Sequence, residues 1–513
     1  MMTPKDLLPV MHAATMRLLF QLIFFISCGT LYSQEYNFVK IEEGDSEAQI
    51  IRKAANVVPS SRQLRWQELE LTGFIHFGVN TFTNKEWGDG TESPSIFNPT
   101  ALDARQWVRV CKDAGIKQII LTAKHHDGFC LWPSQYTEHS VKNSPWKSGN
   151  GDVVKETADA CLEYGLGFGV YLSPWDRNSS FFGDSAKYND YFINQLTELL
   201  TNYGKIEEVW FDGANGEGPN GKKQVYDFNR WYDHIRKLQP GAVIAVMGPD
   251  LRWVGTESGY GRETEWSVLP GDAMIQETIA ANSQKQTGFA PINLMDDDLG
   301  SRKKILKAKS LIWYPAETDV SIRPGWFYHP EEDNEVKSPQ KLLDIYYSSV
   351  GRNGVLLLNI PPDKKGLIHD NDANHLKEWK RLRDETFANN FLKGSKVSSR
   401  GKKKTKLLDG KNYTHWTTKK DDSTAIIEFK MNSSKVFDVL MLQENIRKGQ
   451  RIEKFRVEYK ENGEWKKLAE GTTVGYKRLF RFSPVQSDTI RLIIESSRTN
   501  PTLAEIGLYK QAD

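Results

Sequence analysis

The chain has 513 residues, a formal net charge of +2 and 11% aromatic content, including 15 Trp. That length exceeds one ordinary hydrophobic core, so two or more domains are expected. A charge this close to balance gives no electrostatic footprint for nucleic acid or an anionic membrane. The aromatic content suits a large packed core and equally a surface that stacks on sugar rings.

At the N-terminus, Met16-Arg17 precedes the apolar run 18–26, which is too short to span a bilayer. Ser27, Gly29 and Ser33 supply small residues for cleavage. Residues 1–33 therefore read as a signal peptide, with Met16 an alternative start. Cys28 after Phe25-Ile26-Ser27 resembles a bacterial lipoprotein box with an ill-fitting Phe25, so a lipid anchor is the alternative to a cleaved soluble form. Both readings export the protein to the periplasm or cell surface. No later segment is long and apolar enough to span a membrane. Cys111, Cys130 and Cys161 remain, with no CxxC and no zinc-spaced His/Cys cluster. They read as buried small apolar groups, and neither a metal nor a cofactor is implied.

The middle of the chain alternates apolar runs with amphipathic stretches. Residues 71–78 read as a strand and 104–114 as a helix, with Trp107, Val108 and Cys111 on one face. A strand at 118–124 and a helix at 153–164 follow. Next come a strand at 167–175 and a helix at 187–203 with Phe192, Leu196, Leu199 and Leu200 at helical spacing. A strand at 207–213, a helix at 224–238 and a strand at 242–247 complete the regular part. Later strands are read at 264–269, 311–315 and 354–361, the last preceded by a helix at 339–350. Repeated strand–helix units imply a parallel sheet. About eight strands over roughly 300 residues suit a closed (β/α)8-type barrel better than an open sheet. The barrel is placed at 34–390.

Residues 391–406 turn polar and basic, as a solvated linker or strand edge would. Short strands then recur at 425–429, 437–442, 454–459, 479–482 and 489–494. This pattern makes 391–513 an all-β sandwich.

Polar and aromatic groups gather where the barrel strands end. The first strand runs into His76-Phe77-Gly78, with Glu86-Trp87 in the loop beyond. The second ends in Lys124-His125-His126-Asp127-Gly128 and the third in Tyr171-Leu172-Ser173-Pro174-Trp175-Asp176. The fourth delivers Trp210-Phe211-Asp212, and Arg252-Trp253-Val254-Gly255-Thr256-Glu257 follows the fifth. Each has a plain explanation by itself: Asp212 as a helix N-cap, His76 as a core histidine, Trp87 and Trp175 as packing. Together, at the end of a barrel where active sites form, they describe a pocket with aromatic walls, imidazoles and two separated acids.

These motifs, spread in order over roughly residues 60–380, resemble those of the α-L-fucosidases of glycoside hydrolase family 29. The segment 253–259 is similar to the branch selective for α-1,3/1,4-linked fucose. Leu408-Asp409-Gly410 and the ending 502–509 resemble discoidin-like, galactose-binding-like sandwiches. The resemblance implies an exo-acting, retaining hydrolase whose partner is a fucosylated oligosaccharide or glycoconjugate. It implies Asp212 as nucleophile and Glu257 as acid/base. His76, Glu86, Trp87, His125, His126, Tyr171 and Trp210 would line the fucose subsite, with Trp326 beside the fucose methyl. Trp175-Asp176-Arg177 would add polar contacts.

Retaining hydrolysis needs two carboxyl groups about 5–5.5 Å apart, one ionised and one protonated at the start. Asp250, Glu263, Glu265 and Glu317 are rival acids by sequence, and the resemblance favours Glu257. A broad-specificity fucosidase, a barrel hydrolase for another sugar, and a non-catalytic carbohydrate-binding protein stay as alternatives.

Overall fold

The computed structural model describes residues 37–275 and 298–513; the signal segment and Cys28 lie outside the described residues. Eight strands form one all-parallel sheet. They are β1 (Leu71–Ile75), β2 (Gln118–Lys124), β3 (Gly167–Leu172), β4 (Glu208–Phe211), β5 (Val243–Val246), β6 (Arg252–Trp253), β7 (Ala316–Ser321) and β8 (Val355–Asn359). Their spatial order is β5-β4-β3-β2-β1-β8-β7-β6. The two ends of that order are consecutive in the chain, so the sheet curls into a nearly closed barrel with its seam between β5 and β6.

Strands buried on both faces read as continuous apolar runs, which is why β1, β2, β4, β5 and β8 were legible. Every residue of those five is buried. Inside the barrel, Phe74, Ile120, Tyr171, Trp210, Ala245, Val355 and Leu357 pack into one cluster.

The expected strands at 264–269 and 311–315 are not barrel strands. Val268–Pro270 and Ser310–Trp313 pair antiparallel, and Phe38–Lys40 completes a separate three-stranded sheet. Apolar burial against the flank produced their strand-like pattern. The true sixth and seventh strands are β6 and β7. Arg252 interrupts the first, and Glu317, Thr318 and Asp319 interrupt the second, although all four are buried.

Four of the helices between barrel strands begin at an aspartate cap. Asp103, Asp152, Asp184 and Asp227 each accept a backbone N–H from the first turn of Ala104–Asp113, Val153–Tyr164, Ser185–Asn202 and Phe228–Leu238. Such a cap contributes about 1 kcal/mol. Asp184 and Asp227 account for starts that differ from the expected 187 and 224. Cys111, Cys130 and Cys161 are buried and unpaired, and burial pushes the Cys111 thiol up to about 12.

Lys124 and Asp176 lock the ends of β2 and β3 together. Both are fully buried, with Lys124 Nζ 2.9 Å from Asp176 Oδ2 and 2.9 Å from Gln195 Oε1. The other oxygen of Asp176 caps the N–H groups of Asn178 and Ser179. Lys124→Met would leave a desolvated carboxylate, at a cost of about 3–5 kcal/mol. A thermal melt should show a clearly lowered midpoint; an unchanged one would contradict the pairing.

The sandwich is one antiparallel sheet system around Phe429, Phe437, Leu440, Phe455, Ile490 and Leu492. Its two longest strands, Ala425–Glu444 and Arg478–Ser497, have 20 residues each and pair with one another. Each absorbs two expected strands, because register shifts let one strand bend instead of turning. Within the basic stretch, Lys396–Ser399 is an edge strand on Ala425–Glu444. No helix among the described residues is long and apolar enough to cross a membrane.

Candidate active site

A cavity of about 520 Å³ opens where the barrel strands end. All ten residues singled out in the sequence line it: Asp212 and Glu257, with His76, Glu86, Trp87, His125, His126, Tyr171, Trp210 and Trp326.

The floor is aromatic. Tyr171 stacks on Trp210 with ring centres 5.2 Å apart, and Phe74 packs against both. Trp210 Nε1 donates to Glu317 Oε1 at 2.8 Å, which fixes the indole. Glu317 in turn hydrogen-bonds Glu208, itself held by Trp66 and Gln118. Burial raises the pKa of both glutamates, so this pair holds a proton beneath the floor.

Asp212 follows β4 directly and is a quarter exposed to the cavity. Its Oδ2 accepts the Tyr171 hydroxyl at 2.9 Å, and its Oδ1 accepts the Ala214 N–H at 2.7 Å. His126 Nε2 lies 3.9 Å from Oδ2.

Two of the three imidazoles, His76 and His126, have tautomers fixed by their neighbours. His76 Nδ1 is 2.8 Å from Asn359 Oδ1. The Asn359 amide nitrogen donates to Ser321 Oγ and the Trp326 carbonyl, so His76 Nδ1 carries the proton. His126 Nδ1 is 2.7 Å from Ser173 Oγ, whose single proton goes to the Trp175 carbonyl. His126 therefore also donates from Nδ1. Burial holds His76 down to about 3 and lowers His125 and His126 as well. Neutral rings protonated at Nδ1 leave Nε2 as an acceptor for a hydroxyl proton.

Glu86 does more positioning than expected. Its carboxylate accepts the backbone N–H groups of Trp326 (2.8 Å) and Phe327 (3.0 Å) and meets His329 Nε2 at 2.7 Å. It thereby holds Trp326 over the cavity. A Cβ at Gly325 would come within 2.7 Å of Glu86 Oε1, so glycine allows this close approach. Trp87 is 52% exposed at the rim, edge-on to Trp175 and His126.

Glu257 stands in the loop after β6, its Oε2 3.4 Å from Trp326 Nε1. Its side chain opens to the cavity, yet the crowding of protein around it raises its pKa, and the Asp212 and Glu86 carboxylates push the same way.

The rival acids are engaged elsewhere, and none lines the cavity. Glu263 pairs with Arg352 and Arg478, Glu265 with Arg252 and Arg262, and Asp250 with Arg62 and Arg236. Asp176, expected to offer substrate contacts, is sealed in its pair with Lys124. Sequence reasoning missed Asp319. It lines the cavity, accepts Trp253 Nε1 at 2.7 Å, and burial raises it well above the usual carboxylate range. A carboxylate following Glu317 by two residues on an unrecognised strand gave no signal.

The α-L-fucosidase family model matches residues 61–381, and the F5/8 type C domain model matches 391–506. Alpha-L-fucosidase 1 of Arabidopsis thaliana is 44% identical over 465 residues, covering 88% of this chain and 87% of that protein. A Bacteroides ovatus crystal structure is 50% identical with a TM-score of 0.82, covering 93% of this chain and 78% of that one. A Ruminococcus gnavus GH29 fucosidase in complex with fucose is 31% identical with a TM-score of 0.78, covering 94% and 98%. With its barrel, its pocket and these relatives in agreement, the chain belongs to the α-L-fucosidase family, glycoside hydrolase family 29.

Proposed function

We propose that this α-L-fucosidase is a retaining exo-enzyme that removes terminal α-1,3/1,4-linked fucose from branched, Lewis-type glycans. The observation that carries the reading is the shared cavity of Asp212 and Glu257. Asp212 attacks the anomeric carbon, and the Tyr171 hydroxyl and Ala214 N–H hold its two oxygens apart in orientation. Glu257, its pKa raised, starts protonated and gives that proton to the departing glycosidic oxygen. After the glycosyl-enzyme forms, the same carboxylate takes a proton from water. Neutral His76 and His126 accept ring hydroxyls at Nε2, and Trp326 walls the apolar side of the sugar.

The linkage preference rests on the segment 253–259, which bears both a cavity-lining Trp253 and Glu257. A second sugar held by that segment would help place the acid, so binding energy remote from the reacting bond would raise turnover. A broad-specificity enzyme would use the segment only to carry Glu257. Comparing kcat/KM on Lewis a or Lewis x trisaccharide, 2'-fucosyllactose and nitrophenyl fucoside decides between them. The branched trisaccharide should be preferred; equal or better rates on 2'-fucosyllactose would overturn the linkage while leaving fucose release intact. The N-terminal 33 residues support export to the periplasm or cell surface, with a lipid anchor at Cys28 the alternative to a cleaved form. Fractionation of cells expressing the full chain tests this.

A further inference from the structure

We propose that the C-terminal sandwich is a working part of the active site: its loop 472–477 and the strand residue Arg478 that follows clamp the segment that carries Glu257, and Arg478 is a positioning residue for that acid. The inference rests on the reading of Glu257 as acid/base.

Residues 252–265 leave the barrel at β6 and return as a closed loop. At its neck Arg252 pairs with Glu265, and Arg262 donates to the Val254 carbonyl at 2.8 Å. The outgoing limb hangs on β7: Val254 N–H reaches the Glu317 carbonyl at 2.8 Å, and Gly259 N–H reaches the Asp319 carbonyl at 3.0 Å. Glu257 lies between those two attachments.

The returning limb is held from both sides: the barrel meets Gly261 through the Ser348 carbonyl (2.7 Å) and Arg352 (3.1 Å), and the sandwich meets Glu263, Thr264 and Glu265. Glu263 receives Arg478 on one oxygen and Arg352 on the other. Thr264 Oγ1 meets Thr472 Oγ1 at 2.7 Å, and the Glu265 N–H donates to Thr473 Oγ1 at 3.1 Å. The turn that presents Arg352 is itself stitched to the sandwich, through Leu479 N–H to the Gly351 carbonyl (2.9 Å) and Asn353 N–H to the Lys477 carbonyl (3.0 Å). Gly475, with φ +62°, packs against the Asn353 side chain, where a Cβ would lie 2.2 Å from its oxygen.

Arg478 brings a buried guanidinium to a partly open carboxylate: the arginine side chain is 3% exposed and that of Glu263 31%. Removing Arg478 leaves Glu263 to Arg352 alone and takes away the limb's charged anchor on the sandwich, so the limb is free to shift. A sugar-binding module tethered only for capture would need no such buried arginine on the loop of the catalytic acid. General acid catalysis requires hydrogen-bond reach to the leaving oxygen, and a shift near 1 Å costs on the order of 10²-fold. The effect should therefore fall on the step that needs the proton.

The test uses full-length protein with Arg478→Ala, Arg478→Lys and the milder Thr473→Val, beside Glu257→Ala. Each is assayed on aryl fucosides of graded leaving-group acidity and on the trisaccharide, with thermal melts. Arg478→Ala should lose about tenfold or more on the trisaccharide but only about threefold on the most activated aryl fucoside. Its alkaline pH limb should shift, and Arg478→Lys should recover part of the loss. Thr473→Val should show the same graded pattern more weakly, which keeps the test decisive if Arg478→Ala does not fold. A graded Glu257→Ala series with flat losses in the folded sandwich variants overturns the clamp alone. A flat Glu257→Ala series overturns the acid assignment and the clamp with it.

Discussion

Asp212→Ala and Asp212→Asn should lower turnover by on the order of 10⁴-fold or more, because on the proposed mechanism they delete the atom that forms the covalent intermediate. The fold should survive. Asp212 is a quarter exposed, and its two hydrogen bonds come from Tyr171 and the Ala214 N–H. Leaving the Tyr171 hydroxyl without that acceptor costs about 1–3 kcal/mol at most, and the asparagine can still accept it. Fucose should still bind, since the imidazole wall and Trp326 are untouched. Single-turnover kinetics, a thermal melt and calorimetric fucose binding on both variants check this. Near-normal turnover in either variant would remove Asp212 from the nucleophile's role.

Glu257→Ala is the second large effect, with a different signature. Turnover of substrates with poor leaving groups should fall by roughly 10²–10⁴-fold, the usual share of a general acid. Activated aryl fucosides should be far less affected in the first step. Their glycosyl-enzyme then waits for a base, so added azide should speed turnover and yield fucosyl azide. The pH profile adds a signed expectation. The protein crowded around it and the neighbouring Asp212 and Glu86 carboxylates raise the Glu257 pKa, so the protonated acid persists to higher pH than for an ordinary glutamate. Activity is lost as pH climbs through that raised value, and Glu257→Ala should lack this alkaline limb. If Glu263→Ala or Glu265→Ala shows azide rescue and Glu257→Ala does not, the acid is misassigned. The structure makes that outcome hard to obtain, since both rivals sit in ion pairs outside the cavity.

Much of this protein follows from local rules that a chain states by itself. Apolar runs bounded by turns marked β1 to β5 and β8, because a strand buried on both faces needs little else. Helical periodicity marked the outer helices, and capping aspartates set where they begin. The strand-end motifs and the loops just beyond them named nine of the ten residues that meet in the cavity, and the family resemblance added Trp326. What local pattern could not decide depends on partners distant in the chain. β6 and β7 went unrecognised because Arg252, Glu317 and Asp319 are buried only by virtue of partners such as Glu265, Glu208 and Trp253. Asp176 looked available and is sealed by Lys124, which arrives from another strand. Glu86 looked like part of the fucose subsite and is largely engaged by the Trp326 loop. Glu263 and Glu257 were both candidate acids in sequence; Arg478, 215 residues away, pairs with the first and leaves the second facing the cavity. A charged side chain's role is set by who neutralises it, and only the folded chain brings that partner near.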